Sequence, residues 1–310
     1  MKILITGGNG YIGAYLAEYL REHDFDVYIT SRKNGTDAKC RRLELLDVET
    51  CTGICHGMDA IVHLANLDER LVKENGRDAL LANAYATREI YRDAAKAGVK
   101  KFIYFSTFHV YGCDSGNIDE TATPKPKADY GLTHYFAEQY LEQLSNQKGL
   151  PVAAIRLTNG IGAPQGTDKW YLALNDFCRT VFKTGKIVLK SNGLPQRDFV
   201  PIRDVAEAVA ILLESGQQAP YEVYNVSYEM TYSIRALAMA AAECYEQRYG
   251  KKASLEIPHA TQEERNAVQP LKVSSQKIRS LGWTPRLTLN EVIEEIFSVL
   301  EKGENHGHDF

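Results

Sequence analysis

A glycine-rich turn near the start of the chain constrains the fold more than any other feature of the sequence. The apolar run at residues 3–6 has the length and residue types of a buried parallel strand, and apolar residues recur at helical spacing beyond it. Between the two, Gly7 permits a tight turn, Gly10 lets the backbone approach a pyrophosphate, and Gly13 lets the helix pack close to the strand. The pattern predicts a dinucleotide-binding turn at a helix N-terminus, with contacts from Gly7, Gly10, Tyr11, Ile12 and Gly13.

Strand and helix patterns alternate through most of the chain. Further strands are predicted at residues 26–30, in a short segment that ends at Asp47, and at residues 59–65, 101–107, 152–156 and 222–226. Helices are predicted at residues 77–97, 130–144, 233–249 and 288–302. The alternation predicts an α/β fold with a doubly wound parallel sheet and a smaller, mainly helical C-terminal substrate lobe. We expect a dinucleotide-binding domain at residues 1–159, joined again by residues 197–228, and a substrate-binding lobe at residues 160–196 and 229–310.

Composition and charge exclude several classes of protein. Of the 310 residues, 44% are hydrophobic and 25% are charged, which is typical of a globular protein and not of a disordered chain. The net charge is -4 and no stripe of Lys or Arg is present, so we expect a small-molecule partner, not nucleic acid or a membrane surface. No leader or apolar span is visible, and a cytoplasmic location is expected. Cys51 and Cys55 lack a second pair of ligands at zinc spacing, so we expect reduced thiols and no metal.

The end of the second predicted strand bears on the choice of cofactor. In dinucleotide-binding folds an acidic residue there binds the adenosine ribose of NAD. Here that position is Ser31, and two cations, Arg32 and Lys33, follow it. Cations suit the 2′-phosphate of NADP, whereas the alternative is that both belong to a solvated loop. We therefore expect NADP, with NAD as the alternative, and contacts from Ser31, Arg32 and Lys33.

Two later motifs lie where strands and helices meet the ligand-binding edge of such a sheet. Ser106 and Thr107 end one apolar strand, and the chain continues from them in the pattern S-T-x-x-V-Y-G. A helical pattern then begins with Tyr130, and His134 lies on the same helix face because residues four apart are neighbours. That face is expected to point toward Thr107.

These motifs together resemble a known family. The G-x-x-G-x-x-G spacing, S-T-x-x-V-Y-G, Y-x-x-x-H, R-x-x-N-x-x-G-x-P at residues 156–164 and R-D-F-V at residues 197–200 occur in this order. The chain thus resembles the extended short-chain dehydrogenase/reductases of the NAD-dependent epimerase/dehydratase family, which act on nucleotide sugars. In that family the motif reads Y-x-x-x-K.

The resemblance implies cofactor contacts that single residues do not indicate. The positions of Asp47 and Val48 hold the adenine ring in the family, and a later loop and helix hold the pyrophosphate and ribose. The matching residues of that loop and helix are Leu64, Ala65, Asn66 and Asn83. Without the family, Asp47 would be a helix cap, and Leu64 and Ala65 would be ordinary core residues.

The resemblance also assigns chemistry. Thr107 matches the hydroxyl that positions the sugar oxygen, and Tyr130 matches the residue that moves its proton. Asn159 would face the sugar nucleotide, and Arg197 can pair with a diphosphate, because a guanidinium fork suits that geometry. Asn175 is either a substrate contact or lid packing.

The first departure from the family pattern follows Thr107. The 4,6-dehydratases of the family carry Asp and Glu as the acid and base of water elimination, where this chain has Phe108 and His109. Dehydration by that route is not expected. His109 is either an additional proton donor or a wall residue.

The second departure is His134 in place of lysine. A phenol with a pKa of about 10 needs roughly 4 kcal/mol of preferential stabilisation of its anion to titrate near pH 7, and a lysine supplies a full charge for this. Three interpretations are open. His134 partly replaces the lysine, with activity rising as the pH falls through its pKa; the site is slow or inactive; or another group such as His109 supplies the charge.

The function expected from the residues and the resemblance is hydride transfer at C4 of a nucleoside-diphosphate sugar, as a 4-ketoreductase that uses NADP. A 4-epimerase with tightly bound NAD is the first alternative. A regulatory protein that binds the cofactor without turnover is the second. The resemblance also implies a homodimer through the helices at residues 79–97 and 130–144.

Overall fold

The computed structural model describes residues 1–33, 37–217 and 219–305. Its strands are β1 (Lys2–Thr6), β2 (Asp26–Ser31), β3 (Cys40–Arg42), β4 (Ala60–His63), β5 (Lys101–Thr107), β6 (Gly116–Ile118), β7 (Val152–Leu157), β8 (Asn159–Ile161), β9 (Lys186–Val188), β10 (Gln196–Pro201), β11 (Tyr221–Val226), β12 (Thr231–Ser233), β13 (Ser254–Glu256) and β14 (Leu271–Val273). Its α-helices are α1 (Tyr11–Glu22), α2 (Glu69–Glu74), α3 (Gly76–Ala79), α4 (Ala86–Lys96), α5 (Asp129–Lys148), α6 (Ala173–Thr184), α7 (Ile202–Glu214), α8 (Ile234–Tyr249), α9 (Gln262–Asn266), α10 (Gln276–Arg279) and α11 (Leu289–Asn305).

Seven strands form one parallel sheet, in the order β11-β7-β5-β4-β1-β2-β3. The predicted doubly wound sheet is therefore confirmed. The chain runs outward from β1 through β2 to β3 and then returns to β4 on the other side of β1. Loops that leave β1 and β4 diverge at this reversal, which opens a crevice at the carboxyl edge of the sheet, where such folds bind ligands.

Apolar side chains cover both faces of this sheet. Leu16 of α1 and Val205 of α7 belong to the core on one face, and Tyr91 of α4 and Leu141 of α5 belong to the core on the other. These helices hold the sheet rigidly, because each buries its apolar stripe against the strands. The edge that carries the crevice is thus a fixed frame.

A third core lies between α6, α8 and α11 and the short strands near them. Part of the predicted lobe at residues 229–310 packs outside that core. Trp283 is fully buried against the sheet, and its indole nitrogen donates to the carbonyl oxygen of Asp204 at 2.8 Å. The predicted domain boundaries stay a prediction, and residues 306–310 of that lobe lie outside the described residues.

Local structure differs from the sequence-based prediction in two places near the crevice. The third strand ends at Arg42 and not at Asp47, because Thr50 turns the chain by donating to the carbonyl oxygens of Glu44 and Asp47 at 2.9 and 2.7 Å. The helix predicted at residues 77–97 is interrupted by a π-helical turn at Leu80–Tyr85. No helix in the described part of the chain is both long and apolar enough to cross a membrane.

Candidate active site

The glycine-rich turn forms a cradle at one end of a cleft of about 1560 Å³. Gly7 has a φ of +72°, and a methyl group added to Gly13 would lie 2.2 Å from the Gly7 carbonyl oxygen. Helix α1 begins at Tyr11 without a side-chain cap and without an acidic residue in its first turn. Its N-terminal amides are therefore suited to an anion, and the turn lies too close to the helix for any larger residue.

Two buried threonines hold the walls of the cradle together. The Thr30 hydroxyl accepts a hydrogen bond from the Gly7 amide at 3.1 Å. The Thr6 hydroxyl accepts from the amides of Leu64 and Ala65 at 3.2 and 3.1 Å, which fixes the loop after β4. Sequence reasoning missed both threonines. The signal that was available was a hydroxyl at the carboxyl end of each strand, where a parallel sheet meets its ligand.

The predicted adenosine end of the cleft lies beyond β2. Three residues predicted there, Ser31, Arg32 and Lys33, line the cleft. Asp47 and Val48 are not among the residues that line it, and the Asp47 carboxylate lies 3.8 Å from the guanidinium of Arg42, so their adenine contacts stay predictions. Because β3 ends at Arg42, the chain passes the cleft earlier than expected. The residues that line it there are Leu43, Glu44, Leu45 and Leu46.

Leu64, Ala65 and Asn66 line the middle of the cleft, where they were predicted. Asn83 is not among the lining residues, and its predicted cofactor contact stays a prediction. Its side chain is buried, accepts from the Leu67 amide at 2.7 Å and donates to the Leu67 carbonyl oxygen at 3.3 Å. The π-helical turn carries Asn83, whose side chain holds the loop after β4 through these two hydrogen bonds.

Thr107, Tyr130 and His134 meet at the other end of the cleft. Thr107 and Tyr130 line the same end of the cleft, and the rings of Tyr130 and His134 are 4.7 Å apart in an edge-to-face arrangement. The pKa of Tyr130 is raised to about 12, chiefly by burial and also by the negative charges of Glu69 and Asp68, and the proximity of Thr107 partly offsets this. The phenol therefore holds its proton throughout the neutral range.

His134 is buried, with 1% of its surface exposed, and its Nδ1 lies 2.8 Å from the Tyr104 hydroxyl. Burial lowers the pKa of His134 to about 3, and the proximity of His109 adds to this. The imidazole is neutral at neutral pH. Burial of the ring therefore disfavours the interpretation in which a protonated His134 replaces the lysine charge.

His109 does not restore that charge. Its ring lies edge-on to Tyr130, with 5.8 Å between the ring centroids, at the exposed rim of the site. Although part of the side chain reaches solvent, the pKa of His109 is lowered, chiefly by the protein atoms that replace water around the ring. Neither histidine provides Tyr130 with a permanent cation.

The three predicted substrate residues do not line the cleft. Asn159 donates to a backbone carbonyl oxygen of β10 at 2.8 Å. Asn175 is buried and donates to the Tyr11 hydroxyl at 3.1 Å, which steadies the start of α1. Arg197 lies 3.7 Å from the carboxylate of Asp114. Their roles toward a substrate stay predictions.

Comparison with known proteins bears on this site directly. The model of the NAD dependent epimerase/dehydratase family matches residues 3–227. The chain belongs to this family. The match runs from β1 through the cradle and through Thr107, Tyr130 and His134 to the end of β11, and it confirms the resemblance found in the sequence.

Individual members of the family resemble the chain over nearly its full length. The dTDP-D-glucose 4,6-dehydratase of Mus musculus is 26% identical over 318 residues, which cover 95% of this chain and 87% of that protein. The UDP-glucose 4-epimerase of Thermotoga maritima, solved with UDP-glucose, is 24% identical, with a TM-score of 0.81 and coverage of 98% and 100%. RMD from Pseudomonas aeruginosa, complexed with NADPH, is 22% identical, with a TM-score of 0.81 and coverage of 97% and 99%. The two structures show that the fold is shared.

A nicotinamide dinucleotide fits the residues of this family member. The cradle and the uncapped start of α1 suit its phosphates, and the buried Nε2 of His134, which none of the described residues bonds, lies at the far end of the same cleft. When bound, such a cofactor takes or supplies the hydride. Among the described residues, no group of three or more His, Cys, Asp or Glu side chains is arranged to hold a metal ion.

Three residues of the family motifs form a buried ion-pair cluster beneath the proton-transfer residues. The Ser106 hydroxyl donates to Glu138 Oε1 at 2.5 Å, and Arg156 donates through Nε and Nη2 to Oε1 and Oε2 of Glu138 at 3.1 and 2.6 Å. All three residues are at most 5% exposed. They join the ends of β5 and β7 to α5, and so set the position of Thr107 relative to Tyr130.

A second cluster crosses the mouth of the cleft. The ammonium of Lys169 lies 2.6 Å from the carboxylate of Asp68 and 2.7 Å from the Tyr171 hydroxyl, which itself donates to Asp68 at 3.2 Å. Asp68 caps α2, and the other two residues precede α6. These bonds hold the segment before α6 across the cleft. The charge of Lys169 is paired with that of Asp68.

Proposed function

We propose that the protein reduces a keto group at C4 of a nucleoside-diphosphate sugar, with a reduced nicotinamide dinucleotide as the hydride source. Tyr130 donates a proton to the carbonyl oxygen, and Thr107 positions that oxygen with a hydrogen bond. The observation that carries this proposal is the surroundings of Tyr130, a half-buried residue whose ring lies 4.7 Å from that of the buried His134 and whose pKa is raised by burial and further by the charges of Glu69 and Asp68. These surroundings favour a proton donor over a base.

The protonation state of Tyr130 at neutral pH suits the reductive step, in which this residue gives a proton. At pH 7, removing the proton from a phenol with a pKa of about 12 costs about 7 kcal/mol, since each pKa unit corresponds to about 1.4 kcal/mol. A lysine ammonium 4 Å away would recover about 4 kcal/mol at an effective dielectric constant of about 20, whereas a hydrogen bond from a neutral imidazole contributes about 1 kcal/mol. Oxidation must begin with the anion of Tyr130. Reduction begins with the phenol, which gives its proton to the more basic alkoxide that hydride addition creates.

Two other functions compete with this proposal. A 4-epimerase must oxidise the sugar before it reduces it, so it needs the anion of Tyr130 in every turnover. A regulatory protein would keep the cofactor cradle and lose turnover, and His134 in place of the family's lysine favours it. The experiment below separates all three.

The proposed cofactor is NADP. Arg32 and Lys33 line the cleft beyond β2 and no acidic side chain stands at Ser31, so the pattern suits a 2′-phosphate. The complex of the Pseudomonas neighbour with NADPH is consistent with this choice, whereas the family description names NAD. NAD is therefore the alternative.

The proposed substrate carries a nucleoside diphosphate. The relatives named above act on dTDP- or UDP-linked sugars by their names, which supports this class. We propose Arg197 for the diphosphate and Asn159 and Asn175 for the sugar-binding side. Phe108 and His109 stand where the dehydratases have their acid and base, so the named dehydratase activity of the mouse relative is not proposed here.

A homodimer is proposed through the surfaces of α4 and α5. Large apolar side chains are exposed on and near these helices, with Phe136 42%, Leu80 45% and Tyr85 38% exposed. Pairing of the two helices with those of a second copy would cover them. Light scattering tests this, and a monomer mass at micromolar concentration would refute it.

The experiment follows oxidation of NADPH and NADH with a panel of UDP-, GDP-, CDP- and dTDP-linked 4-keto sugars. We expect net reduction whose rate stays flat over roughly pH 6 to pH 9, because Tyr130 keeps its proton below its pKa of about 12. The reverse oxidation should rise about tenfold per pH unit over the same range, because the population of the anion does so. Replacement of Tyr130 by Phe should lower kcat by about 10²- to 10⁴-fold.

The control is Tyr135→Phe, which removes a phenol from the same helix outside the cleft. It should leave kcat unchanged. Conversion of one sugar into its C4 epimer, with stoichiometric NAD retained and no net change in nicotinamide absorbance, would replace the reductase proposal by the epimerase. Intact cofactor binding without turnover, and a biological activity that Tyr130→Phe leaves unaffected, would establish the regulatory alternative.

A further inference from the structure

His134 makes a hydrogen bond through only one of its ring nitrogens. Nδ1 lies 2.8 Å from the Tyr104 hydroxyl, whereas Nε2 is buried and has no partner among the described residues. Since His134 lines the cleft, Nε2 is a polar atom left for a ligand. A buried polar nitrogen without a partner is unfavourable, so an occupant that bonds it is stabilised.

The partner Tyr104 decides which nitrogen carries the proton. Tyr104 is 2% exposed, and among the described residues its hydroxyl has one hydrogen-bond partner, His134. If Tyr104 donates to Nδ1, its hydrogen and the Nδ1 lone pair are both satisfied, and the ring proton resides on Nε2. If Nδ1 carries the proton, the Tyr104 hydrogen and the Nε2 lone pair are both left unsatisfied. The first arrangement leaves one unsatisfied group and the second leaves two.

The charged and titratable groups around this pair favour a neutral ring. On β4, His63 stacks 5.9 Å from Tyr104, and both of its nitrogens are occupied by Thr6 and Thr87 at 2.6 and 2.8 Å. The remaining groups that act on Tyr104 and His134 are a carboxylate, a phenol and an imidazole: Glu138, Tyr130 and His109. Burial lowers the pKa of His63 to about 3 and raises that of Tyr104 well above its usual value, so both remain uncharged. Glu138 is itself paired with Arg156.

We propose that Tyr104 is a positioning residue that holds His134 in the Nε2–H tautomer, so that His134 presents a neutral, pH-independent hydrogen-bond donor to a hydroxyl oxygen of the bound ligand. This inference rests on the proposed function, because it assigns the ligand contact made by His134 in that same site. The hydroxyl belongs to a ribose of the cofactor or to the sugar substrate. In this tautomer His134 still donates a hydrogen bond that orients the bound ligand. Because the ring is neutral, it adds no positive charge that would favour the anion of Tyr130.

The tautomer can be read directly in wild-type protein. Long-range ¹H–¹⁵N correlation spectra of protein labelled with ¹⁵N-histidine distinguish the two neutral tautomers and the imidazolium, and the His134→Asn variant identifies the signal. We expect the Nε2–H pattern from roughly pH 5.5 to pH 8. A Nδ1–H pattern, or an imidazolium in that range, would overturn the inference.

Ligand addition then identifies the hydroxyl. NADP⁺ is added first and UDP-glucose second, at pH 6, where the reverse oxidation is expected to be at its slowest. A shift of the Nε2 signal with NADP⁺ alone assigns the ribose, and a shift that needs UDP-glucose assigns the sugar. If neither addition moves the Nε2 signal although a separate fluorescence titration shows binding, the proposed contact is refuted.

Tyr104→Phe tests the positioning role. We expect mixed tautomers of His134 and an affinity for the ligand that moves Nε2 reduced about threefold to tenfold, which is the loss of one hydrogen bond. The matched control is Tyr91→Phe, because Tyr91 is equally buried and its hydroxyl donates to the Leu150 carbonyl oxygen at 2.8 Å on the far side of α4. A merely structural effect would lower the affinity equally in both variants.

The outcomes for the two proposals are distinguishable. The spectra need no turnover, so a failure to find a reduced sugar would overturn the proposed function and leave the tautomer result standing. A Nδ1–H tautomer in a protein that does reduce keto sugars would overturn this inference alone.

Discussion

The two ends of the cleft are built in different ways. The cradle is made of backbone, and Gly7 and Gly13 are required because the turn and α1 touch there. The proton-transfer end is made of side chains, and Thr107, Tyr130 and His134 contribute their chemistry individually. The first end follows the family pattern throughout, and the second departs from it at the residue that normally carries the charge.

The difference shows which part of such a site tolerates replacement. A backbone cradle has no space for a side chain, so a substitution there produces a steric overlap. A side-chain site can exchange a cation for a neutral ring when a buried partner satisfies that ring, as Tyr104 does for His134 at 2.8 Å. What changes is the electrostatic stabilisation of the Tyr130 anion, and with it the favoured direction of proton transfer.

The largest expected effect is on the free energy of unfolding, and it comes from a change to the buried cluster that supports Thr107 and Tyr130. Glu138→Gln leaves the guanidinium of Arg156 buried without a counter-charge, and we expect a loss of about 3–5 kcal/mol in the free energy of unfolding. Urea unfolding followed by circular dichroism measures it. The control is Glu142→Gln at an exposed position of the same helix, which should change the free energy by less than about 0.5 kcal/mol. Equal losses in the two variants would contradict a structural role for the buried cluster.

The next largest expected effect is on the affinity for NADPH, and it comes from a change to the glycine cradle. Gly13→Ala would place a methyl group 2.2 Å from the Gly7 carbonyl oxygen, and the overlap should cost about 1–3 kcal/mol, equivalent to a fall in NADPH affinity of roughly tenfold or more. Fluorescence titration with NADPH measures the affinity. In Gly216→Ala the added methyl group meets no atom within 4 Å, so the affinity should stay at the wild-type value. A Gly13→Ala protein that binds NADPH as tightly as this control would show that the cradle is not where the cofactor lies.

The smallest expected effect distinguishes NADPH from NADH at the cradle end of the cleft. Arg32→Gln should weaken NADPH about fivefold and leave NADH unchanged, because an exposed charge pair with the 2′-phosphate contributes about 1 kcal/mol. Parallel titrations with the two cofactors measure this. Arg21→Gln, at the exposed end of α1, controls for the loss of one positive charge. Equal affinities of wild-type protein for both cofactors would instead favour NAD.

Features that depend on local sequence were predicted well. The bounds of β5 at Lys101–Thr107 follow from a continuous apolar run that ends in hydroxyls, and the glycine turn follows from the spacing of its glycines. The shared face of Tyr130 and His134 follows from helical periodicity, and their rings do lie 4.7 Å apart. Each of these depends on residues only a few positions apart.

Features that depend on the end of a short strand or on the support of a loop were not predicted. Strand β3 ends at Arg42 and not at Asp47, which is not among the residues that line the cleft, and a three-residue strand carries no periodic signal. Asn83 matches a family position, yet the structure shows it bonded to the backbone of Leu67. A matching residue type does not reveal which neighbour its side chain meets.

The sequence alone was enough to establish the sheet, the cradle and the presence of a histidine at the lysine position. Only the tertiary structure showed that His134 is buried, that its Nδ1 lies 2.8 Å from the Tyr104 hydroxyl, and that its Nε2 has no partner among the described residues. Burial lowers the pKa of the ring, and its partner Tyr104 lies on strand β5 whereas His134 lies on helix α5. Desolvation and hydrogen bonding of this kind arise only when distant segments pack together, so no local pattern could contain them.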